Sequence, residues 1–154
     1  MHIKILIVDD HEVVRQGLRS VLKARPEWEI VGEAENGQEA VQAVREKNPD
    51  VVILDITMPV MSGLEATQEI CTLNLGTRVL IFTMHDSKSL VKAVRKAGAR
   101  GYVLKSHASR DLIRAIEALL SGGSFFGNDV GDTTQDENTS KTRNLLLRMS
   151  FLPA

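Results

Sequence analysis

Short apolar runs rich in β-branched residues recur along the chain, separated by longer segments of mixed polarity. They cover residues 3–8, 29–34, 51–54, 78–82 and 101–104. We predict a β-strand at each position, because runs of this length and composition are typical of strands. Three runs, IKILIV, VVIL and RVLIF, are nearly continuously apolar. These three are predicted to be central strands, since helices that cover both faces of a parallel sheet require apolar residues on both faces.

The segments between the predicted strands repeat their apolar residues at helical spacing. One stripe consists of Val14, Leu18, Val21 and Leu22. A second consists of Leu90, Val91 and Val94. A third consists of Leu112, Ile113, Ile116, Leu119 and Leu120. Gly98 follows the second stripe where a helix commonly stops, and Ser109 precedes the third, where it is predicted to cap the helix.

Five successive strand and helix units predict a doubly wound α/β fold with helices on both faces of the sheet. Right-handed crossovers place helices on both faces only if the strand order reverses within the sheet. We therefore predict a five-stranded parallel sheet in the order 2-1-3-4-5. Ligands of such sheets bind at the carboxyl ends of the strands, near the point between strands 1 and 3 where the order reverses.

The chain is predicted to hold one domain, residues 1–126, followed by a polar linker and short tail, residues 127–154. Its 154 residues fit a single domain of about 100 to 200 residues. The stretch GNDVGDTTQDENTSKT contains one apolar residue, Val130, and therefore cannot bury enough surface to fold. The last residues, RNLLLRMSFLPA, are apolar again but too few for a domain or a stable isolated helix.

Composition narrows the classes of function. The net charge of -1 provides no general basic surface for nucleic acid, and the single cysteine, Cys71, excludes an internal disulfide and a multi-thiolate zinc site. The start MHIKILIVDD does not resemble a secretory signal, and no apolar stretch approaches the roughly 18 residues of a membrane span. We expect a soluble cytoplasmic protein without membrane contact.

Carboxylates follow the two strands that lie side by side at the reversal point. Asp9 and Asp10 come after the first strand, and Asp55 comes after the third. Two such charges about 4 Å apart repel by roughly 4 kcal/mol at an effective dielectric near 20, so the cluster favours a divalent cation. Oxygen ligands alone point to Mg²⁺. An acidic pair by itself is more often a solvated turn, but Thr83 and Lys105 end the fourth and fifth strands at the same edge.

This combination is what phosphoryl transfer to an aspartate requires. A carboxylate is already ionised at neutral pH and needs no general base, while a metal and a lysine offset the charge on the equatorial phosphoryl oxygens. The sequence therefore favours a phosphoryl acceptor over a metabolic enzyme.

The motifs ILIVDDHEVVRQG, PDVVILDITMPVMSG, VLIFTMHD and AGARGYVLKS resemble the receiver domains of response regulators in the NarL and FixJ subfamily, the LuxR type. The resemblance covers residues 3 to about 126 and implies a CheY-like, flavodoxin-like fold. It implies that a sensor histidine kinase phosphorylates Asp55. It also implies that Asp9 and Asp10 bind Mg²⁺ together with Asp55 and the backbone carbonyl of Thr57, and that Lys105 contacts the phosphoryl group.

By the same resemblance Thr83 and Tyr102 form the switch pair, and the phosphorylated protein forms a homodimer. Such a domain catalyses only its own phosphorylation and slow dephosphorylation. In this subfamily a polar linker leads to a helix-turn-helix domain, through which alone we expect contact with DNA. Too few residues follow the linker for that domain, so we expect this chain to be a piece of a longer protein. The alternative is a stand-alone receiver that acts through protein contacts.

Two positions depart from the commonest receiver pattern. Met84 is bulky where many receivers have a small residue, and we expect it to cover part of the phosphoryl site. Ser106 follows Lys105 where many receivers have proline, which leaves the cis or trans state of that bond open. His11 is interpreted as a solvent-facing loop residue, because no second histidine lies at metal-ligand spacing. Similar packing or loop interpretations apply to His2, His85, His107, Met58, Met61 and Cys71.

Rival functions lack their defining residues. A haloacid-dehalogenase-like phosphatase requires a second acidic residue two positions after the nucleophile, where this chain has Thr57. A flavin- or nucleotide-binding module needs a phosphate loop rich in glycine or hydroxyl residues after the first strand, where this chain has DDHEVVRQG. A degenerate receiver that only binds proteins usually loses one of the acidic or lysine residues, all of which are present.

Overall fold

A computed structural model of the protein describes residues 2–127. The strands are β1 (Ile3–Val8), β2 (Trp28–Ala34), β3 (Val51–Leu54), β4 (Arg78–Thr83) and β5 (Gly101–Leu104). The helices are α1 (Glu12–Leu22), α2 (Gly37–Lys47), α3 (Gly63–Leu73), α4 (Lys88–Ala97) and α5 (Ala108–Leu120). The predicted linker and tail lie outside the described residues, apart from Gly127.

The five strands form one parallel sheet in the order β2-β1-β3-β4-β5, which confirms the predicted topology. Every residue of β3 is buried, as its continuous apolar run predicts. Alternate strand residues pack into two cores on opposite faces. Helices α2, α3 and α4 cover one face, where Leu6, Leu54 and Ile81 are fully buried. Helices α1 and α5 cover the other face over Ile5 and Leu80.

Strand boundaries differ slightly from the prediction. β2 begins one residue earlier, at Trp28, and β4 includes Thr83. Trp28 is buried in the same core as Leu18 and Leu22 of α1, which fixes the start of the strand. Within residues 2–127 no helix is both long and apolar enough to cross a membrane.

The prediction that Ser109 caps the last helix is wrong. A 3-10 turn at Lys105–His107 follows β5 directly, and α5 begins at Ala108. His107 occupies the N-cap position without a side-chain hydrogen bond, and Ser109 is an exposed residue inside the helix. The chain tightens into a helical turn immediately after β5, so no extended residue remains at position 109 to serve as a cap.

The chain after α5 returns to the open edge of the sheet. Phe125 forms an isolated parallel bridge with Gly101, and the Tyr102 amide donates to the Phe125 carbonyl oxygen at 2.8 Å. Phe126 is buried in the same core as Tyr102, beneath the guanidinium of Arg95. The edge of β5 is therefore partly paired at the end of the described chain.

Candidate functional site

Strand ends bring the predicted acidic residues to one edge of the sheet. Residues 5–8 of β1 pair with residues 51–54 of β3, so Asp9 and Asp55 follow directly from neighbouring strand positions. Asp9 is 1% exposed and Asp55 is 4% exposed. Asp10 is partly exposed. Two buried carboxylates in one cleft are costly unless cations offset their charge.

Lys105 supplies one such cation. Its ammonium nitrogen lies 2.8 Å from Asp9 Oδ2 and 3.2 Å from Asp55 Oδ2. The contact with Asp55 is a hydrogen bond, and the contact with Asp9 is a close ion pair. Burial alone would lower the pKa of Lys105, but the two carboxylates outweigh it and raise that pKa. The lysine therefore stays charged and binds both acids.

The carboxyl group of Asp55 remains electrostatically unfavourable in this arrangement. Its Oδ1 accepts a hydrogen bond from the Ile56 amide at 2.8 Å. Burial raises the pKa of Asp55, and the charge of Asp9 adds to that shift, while Lys105 opposes it. One lysine does not compensate for two buried acids, so the cleft favours additional positive charge.

The donor atoms of the cleft fit a divalent metal ion. Asp10 Oδ1 is a buried oxygen that accepts no hydrogen bond, while Asp9 Oδ2 has the Lys105 ammonium as its only charged neighbour among the described ion pairs. Unsatisfied buried oxygens are rare, and a bound ion is a common reason for them. Carboxylate oxygens are the ligands that Mg²⁺ prefers.

His11 contacts the same acidic pair. Its Nδ1 atom lies 3.2 Å from Asp9 Oδ1 and 3.1 Å from Asp10 Oδ1, and the three residues form a group able to hold a metal ion. The side chain is 65% exposed, in agreement with the interpretation as a solvent-facing residue. Its contact with both carboxylates differs from a purely solvent-facing role, and the one indication of it in the sequence is that His11 directly follows Asp10.

The β4–α4 loop joins several predicted site residues through His85. The Thr83 side chain is fully buried, and its Oγ1 accepts a hydrogen bond from the His85 amide at 3.3 Å. The His85 Nε2 atom lies 3.1 Å from Oγ1 of Thr57, an exposed residue two positions beyond Asp55. This role of His85 could not be predicted from its loop position, because the contact joins two loops that are far apart in the sequence.

Tyr102 lies beneath the same loop. Its side chain is 5% exposed, and its hydroxyl donates a hydrogen bond to the His85 carbonyl oxygen at 2.5 Å. Burial raises the pKa of Tyr102 to about 12, and the charges of Asp86 and Asp55 act in the same direction. Both predicted switch residues, Thr83 and Tyr102, are therefore bonded to the backbone of one residue.

The loop after Asp55 packs closely against the next helix. A Cβ atom built on Gly63 would lie 2.1 Å from the Asp55 carbonyl oxygen. Ser62 and Glu65 form a capping box at the start of α3. The Met61 amide donates to the Pro59 carbonyl oxygen at 2.7 Å, which closes a γ-turn around Val60, whose φ is +68°. A β-branched residue with positive φ is a true outlier and marks backbone strain.

Two further predicted details concern Met84 and Ser106. The Met84 side chain is 72% exposed, so most of it lies in solvent, and its expected cover over the site stays a prediction. No cis peptide bond occurs within residues 2–127, so the bond between Lys105 and Ser106 is trans.

Comparison with known proteins agrees with this fold. Residues 5–117 match the protein family described as response regulator receiver domain. The chain is 40% identical over 123 residues to the transcriptional regulatory protein DegU of Brevibacillus brevis, covering 80% of this chain and 52% of that protein. It is 38% identical over 128 residues to the response regulator UvrY of Escherichia coli, covering 83% and 59%.

Solved structures agree as well. A LuxR-family two-component response regulator from an Aurantimonas species aligns with a TM-score of 0.80 and 40% identity, covering 85% of this chain and 94% of that one. The isolated receiver domain of RcsB from Salmonella enterica, solved with a beryllofluoride phosphomimetic, aligns with a TM-score of 0.78 and 27% identity, covering 85% and 97%.

The chain belongs to the family of response regulator receiver domains, and its similarity is to receivers of the LuxR type. It spans less than two thirds of the length of the two curated relatives.

Proposed function

We propose that Asp55 accepts a phosphoryl group from a sensor histidine kinase in a Mg²⁺-dependent reaction. The observation that carries this proposal is that one ammonium group, that of Lys105, pairs with the buried carboxylates of both Asp55 and Asp9. An ionised carboxylate whose charge is partly offset by a lysine, at the carboxyl edge of a doubly wound sheet, is a nucleophile in a position to react.

In the transfer, an oxygen of Asp55 forms a bond to phosphorus as the bond from phosphorus to the donor's histidine nitrogen breaks. The electron pair of the broken bond leaves with the imidazole. The product is an acyl phosphate on Asp55, and attack of water on its phosphorus later regenerates the carboxylate. Positioning and charge stabilisation account for most of the rate of such transfers.

The residues that would hold the metal ion are Asp9, Asp10 and Asp55, together with the backbone carbonyl of Thr57. When bound, Mg²⁺ neutralises charge on the transferring phosphoryl oxygens. Burial of Asp9 and Asp55 strengthens these interactions, because charges act more strongly away from water. Lys105 provides the protein's own positive charge on the Asp55 side and contacts a phosphoryl oxygen after transfer.

Thr83 and Tyr102 convert phosphorylation into a conformational change. The Thr83 hydroxyl donates to a phosphoryl oxygen and draws the loop after β4 inward. That movement breaks the bond from the Tyr102 hydroxyl to the His85 carbonyl and repacks the ring. The α4–β5–α5 face then exists in two arrangements, which gives the bistable element that a switch requires.

The whole protein is proposed to regulate transcription. The relative DegU is named a transcriptional regulatory protein, and the chain spans 52% of its length. A polar linker leading to a helix-turn-helix output domain would place DNA binding outside the receiver, and phosphorylation would promote a homodimer of receivers.

The experiment that tests this function is an amide NMR titration with Mg²⁺ and beryllofluoride, a phosphoryl mimic. We expect shifts at the strand ends that carry Asp55 and Lys105, and further shifts across residues 83–105. Shifts confined to the Asp55 loop would contradict the switch. Replacing Asp9 and Asp10 together by asparagine should weaken Mg²⁺ binding, and unchanged binding would contradict their role as ligands.

A further inference from the structure

Arg15 is a buried charged residue behind the acidic pair. It belongs to α1 and is only 7% exposed. One guanidinium nitrogen donates to the backbone carbonyl oxygen of Asp9 at 2.7 Å, and Nε donates to Glu33 at 2.8 Å. The remaining nitrogen pairs with Glu12. The three nitrogens therefore bind three separate parts of the chain.

The contact with Asp9 acts on a backbone group. The Asp9 amide donates to the Ala34 carbonyl oxygen at 3.1 Å, and the Asp9 side chain accepts from the His11 amide at 2.9 Å. The Asp9 carbonyl is the remaining polar group of this residue, and Arg15 binds it. That carbonyl belongs to the peptide unit between Asp9 and Asp10. The orientation of this peptide unit determines the position of the Asp10 backbone.

The position of the Asp10 side chain depends on this peptide unit more than the position of the Asp9 side chain does. Its Oδ1 is buried and accepts no hydrogen bond, although His11 Nδ1 lies 3.1 Å away. Asp9, in contrast, is held by Lys105 and by the His11 amide. The position of the Asp10 oxygen is therefore determined mainly by the backbone that carries it.

We propose that Arg15 is a positioning residue for the metal ion, because it fixes the peptide unit that presents Asp10 as a ligand. This inference rests on the proposed function, in which Asp10 binds Mg²⁺. Groups that orient metal ligands typically contribute 10- to 100-fold to metal affinity. We expect loss of the Arg15 donors to weaken Mg²⁺ binding about 10-fold.

The charge of Arg15 alone predicts the opposite result. Removing a cation leaves the surrounding carboxylates of Glu12 and Glu33 less compensated, and the greater negative charge would bind Mg²⁺ more tightly. Arg19 provides the matched control. It pairs with the same two glutamates, Glu12 and Glu33, but its contacts do not include Asp9. The two arginines thus share Glu12 and Glu33 as partners. Arg15 is more buried, lies 3.8 Å from Glu35 as well, and alone binds the Asp9 backbone.

Isothermal titration calorimetry with MgCl₂ separates the two explanations. The proteins compared are the wild type, Arg15→Gln, and Arg19→Gln. We expect an affinity about 10-fold lower for Arg15→Gln, and an affinity equal to or slightly above that of the wild type for Arg19→Gln. Equal or tighter binding by Arg15→Gln would overturn the proposal, as would an equal loss in both variants.

Two further measurements guard against a merely structural effect. The rate of phosphorylation by acetyl phosphate, measured against Mg²⁺ concentration, should need more Mg²⁺ in Arg15→Gln for half its maximum, but should approach the wild-type rate at saturation. A lower rate at saturation with an unchanged half-point would overturn the proposal. If Arg15→Gln does not fold, Arg15→Met retains more of the buried apolar stem and also lacks the donors, so it should show the same loss.

Failure of this inference is distinguishable from failure of the proposed function. A wild-type protein that binds no Mg²⁺ would overturn both, since the ion would have no role. A wild-type protein that binds Mg²⁺, with a folded Arg15→Gln variant that binds equally well, would overturn the inference and leave the proposed function intact.

Discussion

The hydroxyl of Tyr102 donates a hydrogen bond to the backbone carbonyl oxygen of His85, 2.5 Å away. The bond joins a side chain of β5 to the loop after β4, where the His85 amide in turn donates to Thr83. It therefore connects the two predicted switch residues through one peptide segment, and it holds the tyrosine ring in the core.

The first prediction concerns the ionisation of this tyrosine, which is the chain's single one. Burial raises the pKa of Tyr102 to about 12, so the folded state holds its proton more tightly than the unfolded state does. This stabilisation is complete below about pH 10 and is lost as the pH rises towards 12. Ultraviolet absorbance should show very little tyrosinate in the folded protein at pH 10.5, but substantial tyrosinate in urea. Equal ionisation in both would contradict the buried, bonded ring.

The second prediction concerns the strained γ-turn at Val60. Replacing Val60 by glycine relieves the backbone strain of a positive φ, which costs a non-glycine residue roughly 1 to 3 kcal/mol. We expect the free energy of unfolding to rise by about 1 kcal/mol, because glycine also loses more entropy on folding. Val13→Gly is the matched control: Val13 is similarly exposed, but it lies in α1, where replacing valine by glycine should destabilise by roughly 0.3 kcal/mol. Urea unfolding measures both, and the same sign in both variants would contradict the strain.

The third prediction concerns the close approach of α3 to the Asp55 loop. Gly63→Ala places a methyl group 2.1 Å from the Asp55 carbonyl oxygen, so the loop or helix must move. We expect a loss of about 2 kcal/mol or more in stability, together with a displaced Asp55. Gly17→Ala serves as the comparison, because its added methyl meets nothing within 4 Å in α1 and should stabilise the helix by about 1 kcal/mol. Urea unfolding of both variants tests this, and a wild-type stability for Gly63→Ala would contradict the packing.

The strand order and the residues that line most of the cleft could be predicted from the sequence, because both follow from the pattern of apolar and polar residues within short segments. Continuous apolar runs identify buried strands, and an acidic residue directly after such a run must lie at the carboxyl edge of the sheet. The confirmed strand order then brings Asp9, Asp55 and Lys105 together. The contacts of Arg15 could not be predicted, since they depend on how α1 lies across β2.

The conformation of Val60 and the start of α5 also escaped prediction, for local reasons. A valine gives no sign of positive φ, since glycine or asparagine normally occupies such a turn. Ser109 is a good capping residue by composition, but the 3-10 turn at Lys105–His107 moves the helix start ahead of it.

The fourth prediction concerns the electrostatic cost of Asp55. Burial raises its pKa, with Asp9 adding to the shift, so the folded protein binds this proton more tightly than the unfolded chain. Stability from this group is present below the unfolded pKa of about 4 and is lost as the pH rises through the folded value. Without divalent cations, Asp55→Asn should therefore be more stable than the wild type at pH 7, and this advantage should shrink towards pH 4.

Urea unfolding at both pH values, with and without MgCl₂, checks this fourth prediction. Added Mg²⁺ should stabilise the wild type more than Asp55→Asn, because the ion offsets the charge that the variant lacks. A variant less stable than the wild type at pH 7 in the absence of cations would show that Lys105 more than compensates the buried carboxylate.

The central claim is that Asp55 accepts the phosphoryl group, and intact-protein mass spectrometry after incubation with acetyl phosphate and Mg²⁺ tests it most directly. We predict the mass increment of one phosphoryl group on the wild type, its absence without Mg²⁺, and its absence from Asp55→Asn. Asp50→Asn, a change at another carboxylate whose Oδ2 accepts from the Lys4 amide away from the cleft, should keep the increment. An increment that persists in Asp55→Asn at another residue, or a wild type that gains none, would contradict the account.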